Sequence, residues 1–445
     1  MPQTNPPDAM DPSVFARRRQ AVFDRLEDGV MVLPAAPVLR RSRDTELRYR
    51  ADSELYYLTG VVEPEALLVL VGGETPRCVL FVRPRDAVAE LWAGPRMGPE
   101  GASRVHGIEE CHATDAIAEE LPAMLRQGTA LHYRPGRVAS VDSAVEAALE
   151  WARDRGARRG DGPRSRVDPG QILDDLRLRK DESEIARMRI AARISMDGHR
   201  AAARAIREGR GEWEVEAAVN GAFRAGGGSG PGFPTIVGSG TNACVLHYVE
   251  NHSRIPDGSL VLVDAGAEYG LYQGDISRTY PASGRFSDMQ RDVYAIVNEA
   301  RSAGIAAAAP GGTLAAVHDA AVVVIVQGLI DLGALQGEAS DRIEDGSYRD
   351  FFPHQTSHWL GIDVHDPGDY ARGGVARVLE PGMTFTVEPG LYFRPGVGGE
   401  GAERYAGIGV RVEDDVLVRE SDVENLTEAL PTSASEVEEW MEQSR

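Results

Sequence analysis

The stretch at residues 260–280 reads LVLVDAGAEYGLYQGDISRTY and predicts a β-hairpin that carries two aspartates. An apolar β-type run opens it, and Tyr269 and Gly270 supply a tight turn, because glycine takes positive φ without steric cost. In a hairpin centred on that turn Asp264 faces Asp275, with Cβ atoms about 5 Å apart. Two ionised carboxylates held that close repel each other, which predicts either a cation between them or one protonated carboxyl. The alternative is two ordinary aspartates, one in a turn and one capping a helix.

Length and composition indicate a multidomain acidic protein. The 445 residues exceed what one compact core accommodates, so two or three domains are expected. Apolar residues make up 42% and charged residues 26%, which is ordinary for a soluble globular protein. The net charge of −21 argues against nucleic acid and anionic membrane surfaces as partners.

Cysteine usage and the N-terminus favour a cytoplasmic location. Cys78, Cys111 and Cys244 are scattered and odd in number, which fits neither a disulfide framework nor a thiolate metal site. The N-terminal residues contain no apolar signal core. The longest apolar run, residues 320–326, is too short to span a bilayer, so no membrane association is expected.

The pattern along the chain predicts a flexible start and two domains. Residues 1–12 are rich in proline and polar groups and are expected to be flexible. Residues 13–172 alternate β-type runs, including 55–58, with helical stretches, which predicts an α/β domain. Residues 153–170 are rich in arginine, glycine and proline and predict a linker or exposed loop. Residues 173–445 predict a second domain in which helices precede a β-region, twice over.

A histidine cluster follows in this second domain. His354, His358 and His365 lie within twelve residues, next to Asp363 and Asp366. A single histidine is usually a core or surface group, but this density favours a functional site. If the first part is helical or tightly turned, the four-residue spacing places His354 and His358 on one side.

Two glutamates lie on predicted strands beyond the cluster. Glu388 ends a strand before a proline-glycine turn, where it either stays solvated or projects into a cleft. Arg411 and Glu413 share one face of an otherwise apolar strand, which implies water or a polar site on that face. Asp414 and Asp415 come next and are expected to be turn residues.

One imidazole and four carboxylates are the strongest candidate ligands: Asp264, Asp275, His358, Glu388 and Glu413. This set matches two divalent ions of the manganese, cobalt, iron or zinc kind, which sit about 3.5–4 Å apart in such sites. Two carboxylates must then bridge, and Asp275 and Glu413 are reasonable choices. The other histidines could bind a substrate carbonyl or assist proton transfer: His247, His354 and His365. The spacing supports metal-assisted hydrolysis but does not identify the bond.

Five motifs in order resemble those of the Xaa-Pro aminopeptidases, also called aminopeptidase P. They are HYVENHS from residue 247, VDAGAEYGLYQGDISRTYP, SHWLGIDVHD, LEPGMTFTVEPGLYF and GIGVRVEDDVLV. They cover nearly all of the second domain, and YRADSELYYLTGVVEPEALLVL is similar to the family's N-terminal domain. The resemblance implies an α/β (α+β) fold, with an N-terminal α/β domain followed by a pseudo-twofold pita-bread catalytic domain. It also implies release of an N-terminal residue joined to proline.

The resemblance carries the five candidates over as ligands of two metal ions, usually manganese, with cobalt or zinc as alternatives. It implies that Glu388 accepts a proton from the attacking water and that His365 supports the tetrahedral intermediate. His247 and His354 are implied to line the substrate pocket, where His354 would also assist catalysis. Arg411 is implied to pair with a ligand carboxylate, most simply Asp264, at the edge of that pocket. Homo-oligomers, dimers or tetramers, are common in the family.

Two positions depart from the family pattern. Gln355 stands where the family often has glycine, and Phe233 stands where many relatives have tyrosine. Neither removes a ligand, so they bear on rate and pocket shape. A proline dipeptidase shares the ligands and is the nearest alternative, and a non-catalytic pita-bread binding protein is a further one. A methionine aminopeptidase is disfavoured by the histidine cluster and the N-terminal domain.

Overall fold

The computed structural model describes residues 10–156 and 160–444. The chain divides into two compact units, Met1–Arg177 and Leu178–Arg445. The predicted domain boundary after residue 172 lies a few residues before this division. Most of the start predicted to be flexible, residues 1–9, falls outside the described residues. Asp11 caps the first helix, because its carboxylate accepts a hydrogen bond from the Ser13 amide at 2.8 Å.

The N-terminal unit contains a sheet of mixed strand direction with helices in the connections. Its strands are β1 (Val30–Pro34), β2 (Arg40–Ser42), β3 (Thr45–Glu46), β4 (Leu67–Val71), β5 (Arg77–Val82), β6 (Glu110–Ala113), β7 (Ala130–His132) and β8 (Ser165–Val167). Its helices are α1 (Pro12–Leu26), α2 (Ser53–Thr59), α3 (Ala87–Ala93), α4 (Gly98–His106), α5 (Ile117–Leu125), α6 (Ala139–Gly156) and α7 (Gly170–Leu178), whose last residue opens the second unit.

The main sheet has the strand order β6-β5-β4-β1-β7-β8. β4 runs antiparallel to both of its neighbours, and the outer pairs β5–β6, β1–β7 and β7–β8 are parallel. Strands β1 and β4 are buried along their whole length, which explains their continuous apolar sequences. The predicted α/β character of this domain is confirmed.

Two local predictions in this unit were wrong. Residues 55–58 belong to helix α2, because the Asp52 carboxylate accepts hydrogen bonds from the Glu54 and Leu55 amides at 3.0 and 2.9 Å and starts the helix there. The arginine-rich segment at 153–170 includes strand β8, which pairs with β7 and extends the sheet. Residues 157–159 of that segment lie outside the described part of the chain.

The C-terminal unit alternates long helices with short strands. Its helices are α8 (Glu182–Ala205), α9 (Glu212–Ala225), α10 (Asp288–Ala307), α11 (Leu314–Asp331), α12 (Ala339–Asp345), α13 (Gly399–Glu403) and α14 (Ala434–Ser444). Its strands are β9 (Gly230–Pro231), β10 (Ile236–Ser239), β11 (Leu260–Asp264), β12 (Ala267–Tyr269), β13 (Tyr272–Gln273), β14 (Ser277–Pro281), β15 (Ala371–Arg372), β16 (Val375–Ala376), β17 (Thr384–Val387), β18 (Gly390–Tyr392), β19 (Gly409–Arg411), β20 (Asp414–Val418) and β21 (Val423–Asn425).

One pattern occurs twice in this unit. Helices α8 and α9 precede the antiparallel sheet β10-β11-β14, and helices α10 and α11 precede the antiparallel sheet β17-β20-β21. The two halves are tied together where Glu413 donates its amide hydrogen to the Ser277 carbonyl at 3.0 Å. The predicted mixed α/β fold class is confirmed, and the repeated layout places the carboxylate-bearing strands of both halves side by side.

Helix α11 is the one described helix that is long and apolar enough to cross a membrane by length and composition. Val317, Ala321, Ile325 and Leu329 of this helix are fully buried. All but Val317 belong to the large apolar core of the unit. An apolar helix of this kind is equally typical of the interior of a folded domain.

The hairpin register differs from the prediction by two residues. Asp264 pairs with Ser277, not with Asp275, because the turn is made by Gly270 and Leu271, both at positive φ (55° and 70°). Leucine rarely adopts this conformation, so the sequence favoured the turn one residue earlier. A shift of two residues keeps each side chain on its face of the ladder. Asp264 and Asp275 therefore stay on one face as diagonal neighbours.

Candidate metal centre

Each of the five predicted ligands sits at the end of a strand or in an adjoining loop of the C-terminal unit. Asp264 ends β11, Asp275 precedes β14, Glu388 follows β17, Glu413 lies between β19 and β20, and His358 lies in the loop before β17. The structure brings their side chains together. Three of the carboxylates are almost completely buried, with exposed fractions of 9% for Asp264, 5% for Asp275 and 1% for Glu413.

His358 occupies the middle of the carboxylate group. Its Nε2 lies 3.4 Å from Asp275 Oδ2 and 3.3 Å from Glu388 Oε1. Its Nδ1 donates to the Trp359 carbonyl at 3.1 Å, because a carbonyl only accepts. The Nε2 lone pair is thereby directed at the carboxylates, as in histidines that ligate metals. One ligand atom each of Asp275, His358 and Glu413 lies within 4.8 Å of the other two, which is close enough for one ion.

Arg411 orients two of the acidic side chains. Its Nη2 donates to Asp264 Oδ2 at 2.5 Å, which is the pairing implied by the family resemblance. Its Nε donates to Ser277 Oγ at 2.8 Å, and that hydroxyl donates to Glu413 Oε2 at 2.7 Å. One guanidinium, itself 3% exposed, therefore fixes Asp264 directly and Glu413 through a serine.

The donor set fits divalent cations. Burial first, and the neighbouring carboxylates second, raise the pKa of Asp275 and of Glu413 well above the ordinary values. Burial also raises the pKa of Glu388. Asp264 Oδ1 is buried and makes no hydrogen bond within the protein. Hard divalent ions prefer oxygen ligands, and a bound ion would offset the repulsion among these carboxylates and contact the free Asp264 oxygen.

The three further histidines predicted to line the pocket are His247, His354 and His365. The His365 ring centroid lies 4.3 Å from that of His358 in an edge-on arrangement, and His365 is exposed. Burial first, and the neighbouring imidazoles of His358 and His247 second, lower the pKa of His365. His354 lies on the Glu388 side, with Nδ1 at 3.9 Å from Glu388 Oε2.

His354 is held as a neutral ring. Its Nδ1 donates to the Gln355 carbonyl at 2.8 Å, and its Nε2 accepts from the Tyr392 hydroxyl at 2.9 Å. Burial lowers the pKa of His354 to about 3, with the charge of Arg411 acting in the same direction. Gln355, exposed, contributes its backbone here, while Phe233 is half-buried.

Tyr392 and Thr386 were not singled out from the sequence. The Tyr392 hydroxyl accepts from Arg411 Nη1 at 2.9 Å and so links the arginine to His354. Thr386 Oγ1 accepts from the His358 amide at 3.2 Å and donates to Glu388 Oε1 at 3.3 Å. Both residues lie in the LEPGMTFTVEPGLYF motif, but nothing in their spacing distinguishes a hydroxyl that faces the site from one that faces the core.

Asp414 and Asp415 are not turn residues, contrary to the prediction. They open β20 and are at most 1% exposed. Asp415 Oδ2 accepts a hydrogen bond from the Asp275 amide at 3.1 Å. Asp414 pairs with two arginines, Arg278 and Arg301. The two arginines compensate the charge of Asp414, whereas burial raises the pKa of Asp415 well above its ordinary value. A one-dimensional pattern does not reveal such partners.

Comparisons with known proteins show which family the chain belongs to. The model of metallopeptidase family M24 matches residues 186–420, and that of the aminopeptidase P N-terminal domain matches residues 15–132. The chain is 40% identical over 434 residues to the Xaa-Pro aminopeptidase of Escherichia coli (strain K12), covering 97% of this chain and 98% of that protein. It is 32% identical to human Xaa-Pro aminopeptidase 3, over 94% of this chain and 82% of that protein.

Solved structures agree in fold over almost the whole chain. The aminopeptidase PepP of Pseudomonas aeruginosa superposes with a TM-score of 0.93 at 41% identity, covering 98% of this chain and 99% of that one. Zinc-substituted aminopeptidase P of E. coli in complex with product gives a TM-score of 0.94 at 39% identity, with the same coverage. The chain therefore belongs to metallopeptidase family M24, in the group that carries an aminopeptidase P N-terminal domain.

Proposed function

We propose that this chain is an exopeptidase that hydrolyses the bond between an N-terminal residue and a following proline. The names of the relatives, aligned over nearly the full length of both chains, support this substrate class. We propose two divalent cations as cofactors, manganese first and cobalt or zinc as alternatives. A cytoplasmic location and a homo-oligomeric state are proposed with the same function.

The observation that carries the proposal is the convergence of four acidic side chains on one imidazole in a buried site. The set comprises Asp264, Asp275, His358, Glu388 and Glu413. Arg411 pairs directly with Asp264, so the remaining carboxylates repel one another. In the metal-free chain protons relieve this repulsion, as the raised pKa of Asp275 and of Glu413 indicates, and bound cations would take the place of those protons. We assign these five residues as the metal ligands, with Asp275 and Glu413 as the bridging pair. When bound, two such cations polarise the scissile carbonyl and make a water nucleophilic at neutral pH.

Side chains of this protein accept the proton that the attacking water loses. We assign Glu388 as the proton acceptor, since Thr386 Oγ1 donates to its Oε1 and fixes the carboxylate beside the other ligands. The other carboxylate oxygen of Glu388, Oε2, lies 3.9 Å from His354 Nδ1. His354 is uncharged at neutral pH, so it does not form an ion pair with Glu388. His354 is held by Tyr392, so it contributes a fixed wall of the pocket on that side.

His365 and His247 are the two histidines that we assign to contacts with the substrate. Both are exposed at the site, and His365 borders the His358 ring. A neutral imidazole donates one hydrogen bond, and such a donor stabilises an oxygen on which negative charge develops. We assign this stabilising role to His365 and substrate binding to His247, with Arg411 keeping the ligand carboxylates in place behind them.

Peptide length and metal together test the proposal. The metal-free chain is resupplied with manganese, cobalt or zinc in turn and offered Ala-Pro and Ala-Pro-Ala. Release of alanine from the tripeptide, with a metal requirement, is the expected result. Hydrolysis of the dipeptide alone would make the chain a proline dipeptidase, and hydrolysis of neither by any metal form would favour a non-catalytic binding protein.

A further inference from the structure

A second buried charge cluster lies behind the candidate metal centre. It consists of Arg278, Arg301 and Asp414, which are 1%, 8% and 0% exposed. Asp414 Oδ1 accepts from Arg278 Nη2 at 2.7 Å, and Asp414 Oδ2 accepts from Arg301 Nη1. Thr427 Oγ1 and Asn425 Nδ2 donate to the same carboxylate at 2.7 and 3.1 Å. Asp414 thus has two cationic partners and two neutral hydrogen-bond donors.

Arg278 does more than neutralise Asp414. Its Nη1 donates to the Glu413 carbonyl at 2.5 Å and to the Ser277 carbonyl at 3.0 Å, and its Nε donates to the Pro431 carbonyl at 3.0 Å. The Ser277 carbonyl also accepts the Glu413 amide. One guanidinium therefore ties the start of β14 to the segment that carries Glu413.

The same cluster reaches Asp275 through Asp415. Thr427 Oγ1, which donates to Asp414, accepts the Asp415 amide at 3.2 Å. The Asp415 carboxylate in turn accepts the Asp275 amide at 3.1 Å. Arg278 therefore contacts the backbone of Glu413 directly, and it is linked to the backbone of Asp275 through Asp414, Thr427 and Asp415.

This arrangement needs the shape of arginine. A guanidinium is a planar fork with donors at fixed angles, so it serves three carbonyls and a carboxylate at once, whereas a lysine ammonium is a compact point charge. Arg301 provides the contrast. It shares Asp414 with Arg278, but the contacts described for it do not include Ser277 or Glu413.

We propose that Arg278 is a positioning residue that sets the spacing of Asp275 and Glu413, and with it the affinity for the second divalent cation. This inference rests on the proposed two-metal function. Residues that orient metal ligands without touching the ion typically change metal affinity about 10- to 100-fold when they are replaced. A wrong distance between these two carboxylates lowers the affinity for the second ion more than the affinity for the first.

Arg278→Lys and Arg278→Gln are compared with Arg301→Lys, the matched control at the same carboxylate. Circular dichroism first establishes folding, and calorimetric titration with manganese then gives both dissociation constants. The electron paramagnetic resonance signal of an exchange-coupled manganese pair gives an independent readout. Both Arg278 variants are expected to weaken the second manganese about 10- to 100-fold, to lose the coupled signal and to lower kcat more than they raise KM, while Arg301→Lys changes these quantities much less.

Wild-type manganese affinities with an intact coupled signal in a folded Arg278 variant would overturn the proposal, as would an equal loss in Arg301→Lys. Failure of both Arg278 variants to fold would also overturn it, by assigning Arg278 to fold stability alone. A wild type that binds fewer than two manganese ions removes its premise. A wild type that binds two ions but cleaves no proline peptide contradicts the proposed function and leaves the Arg278 comparison valid.

Discussion

Replacement of Arg411 by methionine is the sharpest test of how charge is balanced at the site. Methionine keeps an unbranched apolar stem but removes the guanidinium that donates to Asp264, Ser277 and Tyr392. Asp264 then keeps a buried carboxylate whose other oxygen already has no protein partner. The variant should fold less stably, and the deficit should depend on whether a cation is present.

The magnitude follows from the burial of the pair. The side chains of Arg411 and Asp264 are 4% and 12% exposed, and breaking a buried ion pair from one side costs about 3–5 kcal/mol. At about 2–4 °C per kcal/mol for a domain of this size, the metal-free variant should melt about 6–20 °C below the metal-free wild type. Saturating manganese supplies a cation beside Asp264, so it should reduce this difference.

Thermal unfolding followed by circular dichroism, with chelator and with manganese, measures both numbers. Arg189→Met is the matched control, because Arg189 pairs bidentately with Glu424 at the surface and both side chains are partly exposed. Such a pair contributes about 0–1 kcal/mol. A melting loss for Arg411→Met no greater than that of the control, or a loss that manganese leaves unchanged, would refute the reasoning.

Three further predictions concern the ligands and the pocket. Asp275→Asn should reduce manganese content at both positions, because a bridging ligand serves both ions, and elemental analysis that still finds two tightly bound ions would refute the bridging role. His365→Ala should lower kcat while leaving the metal content largely intact, and parallel loss of metal would make His365 a ligand. The raised pKa values of Asp275 and Glu413 mean that the folded metal-free chain binds more protons than the unfolded chain, so its stability should fall as pH rises above the ordinary values of 3.8 and 4.5. Manganese displaces those protons, so its stabilising effect on the melting temperature should grow over the same pH range, and a pH-independent effect would count against the assignment.

The sequence predicted the site better than it predicted the backbone that builds it. The hairpin prediction placed Asp264 opposite Asp275 through the wrong turn, yet both residues lie on one face because the error was two residues and side chains alternate with period two. An error of one residue would have separated them. Leu271 at positive φ is the cause, since leucine gives no local signal for that conformation.

Buried charges were the other limit of prediction. Asp414 and Asp415 look like turn residues because two adjacent acids rarely enter a core strand. Arg278 and Arg301 compensate the charge of Asp414, whereas Asp415 accepts the Asp275 amide and burial raises its pKa well above the ordinary value. These partners are separated from the acids by more than a hundred residues in sequence. Short-range patterns of hydrophobicity and spacing carry no record of such contacts.

Titration of the metal-free chain with manganese, while alanine release from Ala-Pro-Ala is followed, tests the central claim most directly. The site as assigned predicts no release without metal, two manganese ions bound per chain, and activity that reaches its plateau when the second ion is bound. Full hydrolysis by the metal-free chain, or saturation of both binding and activity at one ion, would contradict a two-metal centre made by Asp264, Asp275, His358, Glu388 and Glu413.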